Sequence, residues 1–412
     1  MPQLVSTAAL LPGMQLAEAL VVDGRVMLRG GLKLRPDDVA VLQRRFPDQQ
    51  LRVGDPQLDP LVEFEDDGRD RQIASDVQRQ VKRSLGRAHE RLRAKTALDS
   101  GDISAIQATV RDLVESLEVD KPSAALVSAC LDPHSYLGVH AANVFYLSML
   151  LAHRALDYVV AERQRQTQVG SLRPNFAEDL VPLGLGALIM DVALVPLVPL
   201  LRTDRLLTDE ERLVIRQHPR SGIKLLPEKM SALARMIVRT HHENCCETGY
   251  PRGMSAERLH VFARIVRIAD AFDAGISRRF YCRAKSPARV LWEMSFGPYR
   301  ACYDPRLMAA FVGLVQPFPI GCRLRLSDGR YATVTHYNRQ DVFDPAVVVA
   351  YDAAGRPLSR EQLEGPLHLR GRCDLRLASF ENEDLSFLYA PQPPGELPSV
   401  AGFATAWEAA YP

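Results

Sequence analysis

Apolar positions in the middle of the chain recur every three or four residues. Val110, Leu113, Val114 and Leu117 form one stripe, and Val144, Leu147, Leu150 and Leu151 a second. Leu225, Met230, Leu233 and Ile237 form a third, and Val261, Ile265 and Ile268 a fourth. This spacing lines one face of an α-helix, so residues 103–300 read as an all-α domain. The flanks lack that period. Near the start, two β-prone runs at 19–22 and 25–28 enclose Asp23-Gly24, a hairpin signal. Arg35-Pro36-Asp37-Asp38 opens a short helix, and Leu51-Arg52-Val53 reads as a closing strand. Residues 1–60 are therefore expected to form a small α+β or β-rich module. Residues 61–102 read as a linker and connecting helix, charged over 72–95, with the charge run as a solvated face. After Pro319 the signal is strand, turn and strand around Asp328-Gly329, with another strand at 346–351, predicting a small β module over 315–385. Residues 386–412, rich in Pro and Gly, are expected to be a flexible tail. The expected fold class is mainly α: a helical bundle flanked by two small β-containing modules.

One stretch invites a different reading. Residues 181–201 are long and apolar enough for a membrane span. However, Asp191 stands at the centre, and Pro182, Pro196 and Pro199 punctuate the stretch. A carboxylate in mid-bilayer is costly, and proline interrupts helices. A shorter buried helix carrying one functional acid is expected, with no membrane span. The first residues have neither a basic run nor a sustained apolar one, so no signal peptide is expected. Lys+Arg 51 against Asp+Glu 50 argues against binding DNA or another polyanion, and leaves a small anionic ligand open. The 7 cysteines have no CxxC spacing, which favours reduced thiols and a cytoplasmic location. Cys245 and Cys246 read as plain thiols, since neighbouring cysteines form strained disulfides.

The candidate chemistry lies in the helical region. His140, Asp191, His218, His241, His242 and Asp270 each sit in or beside an apolar helical pattern. A bundle can point such residues inward onto shared metals, and imidazole with carboxylate suits Zn, Fe, Mn or Ni. Adjacent helical residues splay by about 100°, so His241 and His242 could serve two metals, or a metal and a substrate. Taken singly, each residue is equally readable as a structural one.

Local order adds to this. His241-His242-Glu243-Asn244-Cys245-Cys246-Glu247-Thr248-Gly249-Tyr250-Pro251 resembles the HHExxxGxGYP signature of the HD-GYP family, with Glu247 in place of the first glycine. Ile268-Ala269-Asp270-Ala271-Phe272-Asp273-Ala274 resembles that family's VADxFDA segment, and Arg279-Phe280-Tyr281 sits where it has an Arg-Pro-Tyr turn. His218-Pro219 with Gly222 is similar to its HPxxG element, and His140-Ala141-Ala142-Asn143-Val144 to its HSxxV helix. The resemblance runs from about 103 to 295. More weakly, Leu11-Pro12-Gly13-Met14 with its hairpin and the β module after Pro319 resemble modules that flank this domain.

The resemblance implies an HD-domain bundle and metal-assisted hydrolysis of cyclic di-GMP to a linear dinucleotide or GMP. It implies one or two divalent metals (Fe, Mn, Zn or Ni) on His140, Asp191, His218, His241, His242 and Asp270, with Asp191 shared and catalytic. Arg279, Tyr250 and Asp273 become substrate contacts, and Glu243 a group that orients a ligating histidine. Lys285 reads as solvated. Tyr136 stands where some members have a glutamate for a third metal, which argues against one here. Gly249-Tyr250-Pro251 reads either as a contact to substrate or to a GGDEF-domain diguanylate cyclase, or as a helix stop with a packing tyrosine. A homodimer is among the expected assemblies.

The family's HDxGK element falls on Met190-Asp191-Val192-Ala193-Leu194. A thioether is a poor ligand for a hard or borderline cation. One metal position therefore keeps at best His140, Asp191 and Asp270, while Asp191, His218, His241 and His242 look complete. Leu194 cannot stabilise charge on a phosphodiester as a lysine can, which costs rate. The expectation is an impaired hydrolase; the alternative is an inactive HD-GYP protein that senses cyclic di-GMP or scaffolds a signalling complex.

Overall fold

The apolar stripes of the middle region become helices, and the flanks become sheet. The computed structural model describes every residue except 1, 17–19, 23–24, 29–31, 48, 55–66, 121–133, 167–178, 204, 339, 381–382 and 390–412. The turn expected at Asp23-Gly24, most of the acidic linker and nearly all of the expected tail lie outside the described residues. The described residues divide into two compact units, one formed by 2–54 with 316–389 and the other by 67–315.

In the first unit, the N-terminal segment holds β1 (Pro2–Ser6), β2 (Gln15–Leu16), β3 (Leu20–Val22), β4 (Arg25–Leu28), α1 (Pro36–Arg45) and β5 (Gln50–Gly54). β5 pairs antiparallel with β1 and β2, Val5 standing opposite Leu51, and β3 and β4 form the expected hairpin pair. α1 begins at Pro36, whose missing N–H costs nothing in a first turn. Asp37 and Asp38 there complement the helix dipole. Val39 and Leu42 of α1 join Leu16, Leu34 and Val53 in one core. The C-terminal segment is a six-stranded antiparallel sheet: β6 (Arg323–Leu326), β7 (Tyr331–His336), β8 (Ala346–Tyr351), β9 (Glu364–Leu367), β10 (Leu377–Phe380) and β11 (Glu383–Asp384). Its order is β11-β10-β6-β7-β8-β9. All of β8 is buried, as its unbroken apolar sequence requires.

The second unit is helical: α2 (Asp67–Arg93), α3 (Ser100–Asp120), α4 (Tyr136–Arg154), α5 (Leu156–Gln166), α6 (Val181–Ile189), α7 (Val198–Leu201), α8 (Asp209–Arg216), α9 (His218–Gly222), α10 (Ala232–Thr240), α11 (Val261–Ile276), α12 (Pro287–Ser295) and α13 (Pro305–Val312). α4 is buried continuously from His140 to Ala152, and α11 nearly throughout. Helices apolar on all sides must sit inside, and these two pack on each other. α6 packs on α3, α4 and α10 through its glycines. A Cβ on Gly184 would come within 2.7 Å of Phe145, and one on Gly186 within 2.5 Å of Ile237.

Two expectations change, and the shorter buried helix expected within residues 181–201 is present, with its acid just past its end. α2 is more than a connecting helix, because Val77, Val81, Leu85, Ala88 and Leu92 bury one stripe and α2 packs on α3 and α4. The stripe from Leu225 to Ile237 is not one helix. A 3₁₀ turn ends at Leu225, and α10 starts afresh at Ser231, whose hydroxyl caps it. Residues 181–201, though apolar enough to span a membrane, are mostly buried and broken after Ile189. A 3₁₀ segment, Val192–Leu197, follows, because Pro196 can neither donate to an α-helical ladder nor clear the carbonyl four residues back.

Candidate metal centre

That break positions the acid. Asp191 caps the 3₁₀ segment with φ −100° and ψ 16°, and its carbonyl accepts from Leu194 N at 2.8 Å. Its side chain meets four histidines from three other places: His140 on α4, His218 at the start of α9, and His241-His242 just after α10. Asp270, on α11, approaches His140 and His242 as well.

Ring geometry sets what the histidines offer. His218 Nδ1 lies 2.8 Å from Ile215 O, and His241 Nδ1 3.0 Å from Val238 O. A carbonyl only accepts, so each Nδ1 carries the proton and each Nε2 presents a lone pair. The two Nε2 atoms face each other at 3.0 Å, and Asp191 Oδ1 is 3.3 Å from one and 3.6 Å from the other. Two lone pairs and a carboxylate this close repel unless a cation stands among them. One ligand atom each from Asp191, His218, His241 and His242 lies within 4.8 Å of the others. This nitrogen and oxygen donor set fits a borderline divalent metal.

A second group adjoins it. His140 Nε2 is 3.2 Å from Asp270 Oδ1 and 3.6 Å from Asp191 Oδ2, while Asp270 Oδ2 is 3.4 Å from His242 Nδ1. Burial opposes charge on His140, but its hydrogen bonds to Asp270 and Asp273 outweigh that and push it up to about 10. The carboxylates around His140 thus favour positive charge at this point of the cluster.

Residues behind the ligands aim them. Asp273, expected as a substrate contact, is fully buried: Oδ2 lies 2.6 Å from His140 Nδ1, and Oδ1 accepts from Asn143 Nδ2 at 2.6 Å. It orients His140 and is out of a substrate's reach. Asn143 is in turn held by Gln78 of α2 at 2.6 Å. Arg267 donates to Asn244 Oδ1 at 2.8 Å and approaches Asp270 Oδ2 at 3.5 Å. Asn143, Gln78, Asn244 and Arg267 went unremarked in the sequence. The available signal was spacing, since His140/Asn143 and Asp270/Asp273 are i,i+3 pairs on facing helices. Tyr136 stacks on His140 at 4.9 Å.

Glu243 also has a different task from the expected one. Its carboxylate accepts from Arg252 N at 2.8 Å and Met254 N at 3.0 Å, so it ties down the loop after Pro251. That loop folds tightly against the ligands. A Cβ at Gly249 would sit 2.5 Å from His242 O. Tyr250 stacks on His242 at 4.7 Å, with the Arg216 guanidinium 4.8 Å from its ring. Glu247 has φ +65°, the left-handed region that favours glycine, which is the residue the signature has there.

Met190 is 1% exposed, while Leu194 lines a cavity of about 60 Å³ beside His140, Asp191 and His242. Arg279 lines it as well. It is buried, and its Nε and Nη2 have no hydrogen-bond partner among the described residues. Lys285, by contrast, is paired with Glu293 at 2.8 Å. A larger cavity of about 650 Å³ shares Tyr136, Leu201, Arg279 and Tyr281 with the small one and adds the cations Arg79, Lys82, Arg93 and Arg202.

Residues 195–307, within the helical unit, match the HD domain family. His241-His242 and Gly249-Tyr250-Pro251 lie within the matched residues, whereas His140, Met190 and Asp191 lie before them. A cyclic di-GMP phosphodiesterase of Pseudomonas aeruginosa is 30% identical over 202 residues, 48% of this chain and 48% of that relative. A 3′3′-cGAMP-specific phosphodiesterase of Vibrio cholerae is 39% identical over 87 residues, 21% of this chain and 18% of that one. The chain thus spans less than half the length of either. A solved HDG"Y"P protein of Bdellovibrio bacteriovorus aligns with 76% of this chain and 97% of its own, at 14% identity and TM-score 0.44.

Proposed function

We propose that this chain is a metal-dependent phosphodiesterase that opens cyclic di-GMP, slowed by the loss of the dyad histidine and lysine. One observation carries the reading. Asp191 turns Oδ1 to His218 and His241 and Oδ2 to His140, so one carboxylate is shared between two donor groups. Sharing of this kind suits one or two divalent cations, with Fe, Mn, Zn or Ni all compatible with the donors. Bound there, such a cation would acidify water and polarise a phosphoryl oxygen. The chain's own residues do the rest. Asp273 fixes the tautomer of His140, and Tyr250 braces His242. Arg279 keeps two N–H groups open for a phosphate oxygen. A cavity of about 60 Å³ is too small for a dinucleotide, and the adjoining one of about 650 Å³, rich in cations, supplies the room. The relatives' names support a cyclic dinucleotide as the substrate class, and the Pseudomonas protein supports cyclic di-GMP within it.

A second reading, a cyclic di-GMP sensor or scaffold without turnover, is favoured by Leu194, which packs with Leu207 and Ile215 where a lysine would have to be. A diguanylate cyclase docking on Gly249-Tyr250-Pro251 would have to use Pro251 and its neighbours, because Tyr250 is engaged with His242 and Arg216. Thiols with no disulfide partner among the described residues fit a cytoplasmic location. The test is cyclic di-GMP hydrolysis by the anaerobically purified full chain with Mn²⁺ or Fe²⁺, bound metal being quantified in parallel. Turnover above an Asp191→Ala blank supports the enzyme. Tight cyclic di-GMP binding with no turnover supports the sensor, and neither outcome refutes both.

A further inference from the structure

The histidine loop ends against a pair of thiols that the metal chemistry does not use. Cys246 Sγ lies 3.6 Å from Cys302 Sγ, although the two are 56 residues apart. The backbones are tied together as well, Cys245 N donating to Cys302 O at 2.9 Å. Cys302 is 1% exposed, whereas Cys246 is half-buried and open to a small oxidant. The contact with Cys302 brings Cys246 down to about 6, helped by Thr248 and opposed by burial. The same contact, with burial, pushes Cys302 up. One sulfur is therefore the nucleophile and the other the proton-bearing resolver, the division of labour a redox pair needs.

This pair is wired to the ligands. Cys246 Sγ is 3.0 Å from Thr248 Oγ1, which accepts from Asn244 Nδ2 at 3.0 Å. Asn244 Oδ1 holds Arg267 at 2.8 Å, and Arg267 approaches Asp270 at 3.5 Å. On the other side, Tyr303, next to Cys302, lies under the Arg267 guanidinium at 5.6 Å. Both cysteines thus bear on one arginine beside a ligand carboxylate.

We propose that Cys246 and Cys302 form a reversible disulfide on exposure to hydrogen peroxide, and that closing it loosens the grip of Arg267 on Asp270 and so weakens metal retention. The Cys246 thiolate attacks the peroxide, the O–O bond breaks, and a sulfenic acid and hydroxide form. The Cys302 sulfur then attacks the Cys246 sulfur, the S–O bond breaks, and the Cys302 proton leaves with the oxygen as water. Two thiols are oxidised, and one peroxide is reduced to two waters. The sulfurs must close from 3.6 Å to about 2.05 Å, which takes Cys246 away from Thr248.

The second half of the proposal rests on the metal site proposed above; the first does not. The experiment treats the full chain with hydrogen peroxide, then alkylates and measures intact mass. Reduced protein should take alkyl groups on its 7 cysteines, and oxidised protein two fewer, with the Cys246–Cys302 crosslink found by peptide mapping and removed by dithiothreitol. Absence of that crosslink, or pairing elsewhere, overturns the proposal whether or not metal binds. Metal retention against a chelator should fall on the order of tenfold on oxidation. It should be insensitive to peroxide in Cys302→Ser and in Cys246→Ser, whose hydroxyl can keep the Thr248 contact. A crosslink that leaves retention unchanged overturns the coupling.

Discussion

His140 Nδ1 and Asp273 Oδ2 lie 2.6 Å apart, and the other oxygen of Asp273 is taken by Asn143. A histidine held this way has its Nε2 fixed toward Asp191 and Asp270 before any ligand arrives. Asp273→Asn keeps the shape and removes the charge. It should lower metal affinity by roughly tenfold to a hundredfold, the usual cost of losing a partner behind a ligating histidine, as read by chelator competition. The KM of the metal-saturated variant for cyclic di-GMP should stay near wild type. A raised KM with unchanged metal affinity would return Asp273 to the substrate.

The six ligand-type residues were legible because each carried its motif neighbours, and the helices that bear them were legible because their stripes are long. What stayed hidden depended on contacts across the fold. Nothing local marks Asp273 as fully buried, since its partner His140 is 133 residues away in sequence. Glu243 looked like a neighbour of two histidines, yet the loop turns at Gly249 and brings the backbone of Arg252 and Met254 to it. The connecting helix showed its charges more plainly than the Val77 to Leu92 stripe that binds it to the bundle. α13 escaped notice although Asp304-Pro305 is a strong start signal, an N-cap followed by proline.

Asp191 serves both donor groups, whereas His241 faces only one. Asp191→Ala should therefore strip metal from the whole site under mild chelation. His241→Ala should empty the His218 side and leave whatever His140 and Asp270 retain. Metal per folded chain, by elemental analysis, checks both. Wild-type content in both variants would move the site elsewhere.

His260 caps α11, its Nδ1 accepting from Phe262 N at 3.1 Å. Burial lowers it to about 4, with Arg163 and Arg264 adding to the effect. The unfolded chain takes up this proton near pH 6.5 and the native state only near 4, so the unfolded state holds more protons in between. Stability should thus rise with pH across that window, and fall on acidification from about 6.5 toward 4. The full effect is on the order of 2 kcal/mol after allowance for partial exposure. His260→Asn keeps an N-cap acceptor and should flatten part of the slope, with His89, also lowered to about 4 by burial, supplying another part. Urea midpoints at several pH values decide it; identical slopes in wild type and variant would mean that His260 is protonated in the native state.

The sharpest test concerns the altered dyad. Met190→His with Leu194→Lys should raise hydrolysis by roughly tenfold or more, since a positioned donor to a developing charge is worth that and often more. Both changes are needed, because a lysine beside an incomplete metal site has little reaction to stabilise. The structure sets the difficulty. Met190 ends α6 and Leu194 lies in the 3₁₀ segment that follows, so the two are not stacked on one α-helical face. Leu194 does line the site cavity, which puts a lysine there within reach of a phosphate. It also packs with Leu207 and Ile215, so the ammonium costs stability until an anion meets it. The measure is therefore turnover per folded, metal-loaded molecule, with Asp191→Ala as the blank. A double variant that folds, carries two metals and still matches the blank would show that the cavity no longer presents a phosphodiester to Asp191, and would favour the sensor.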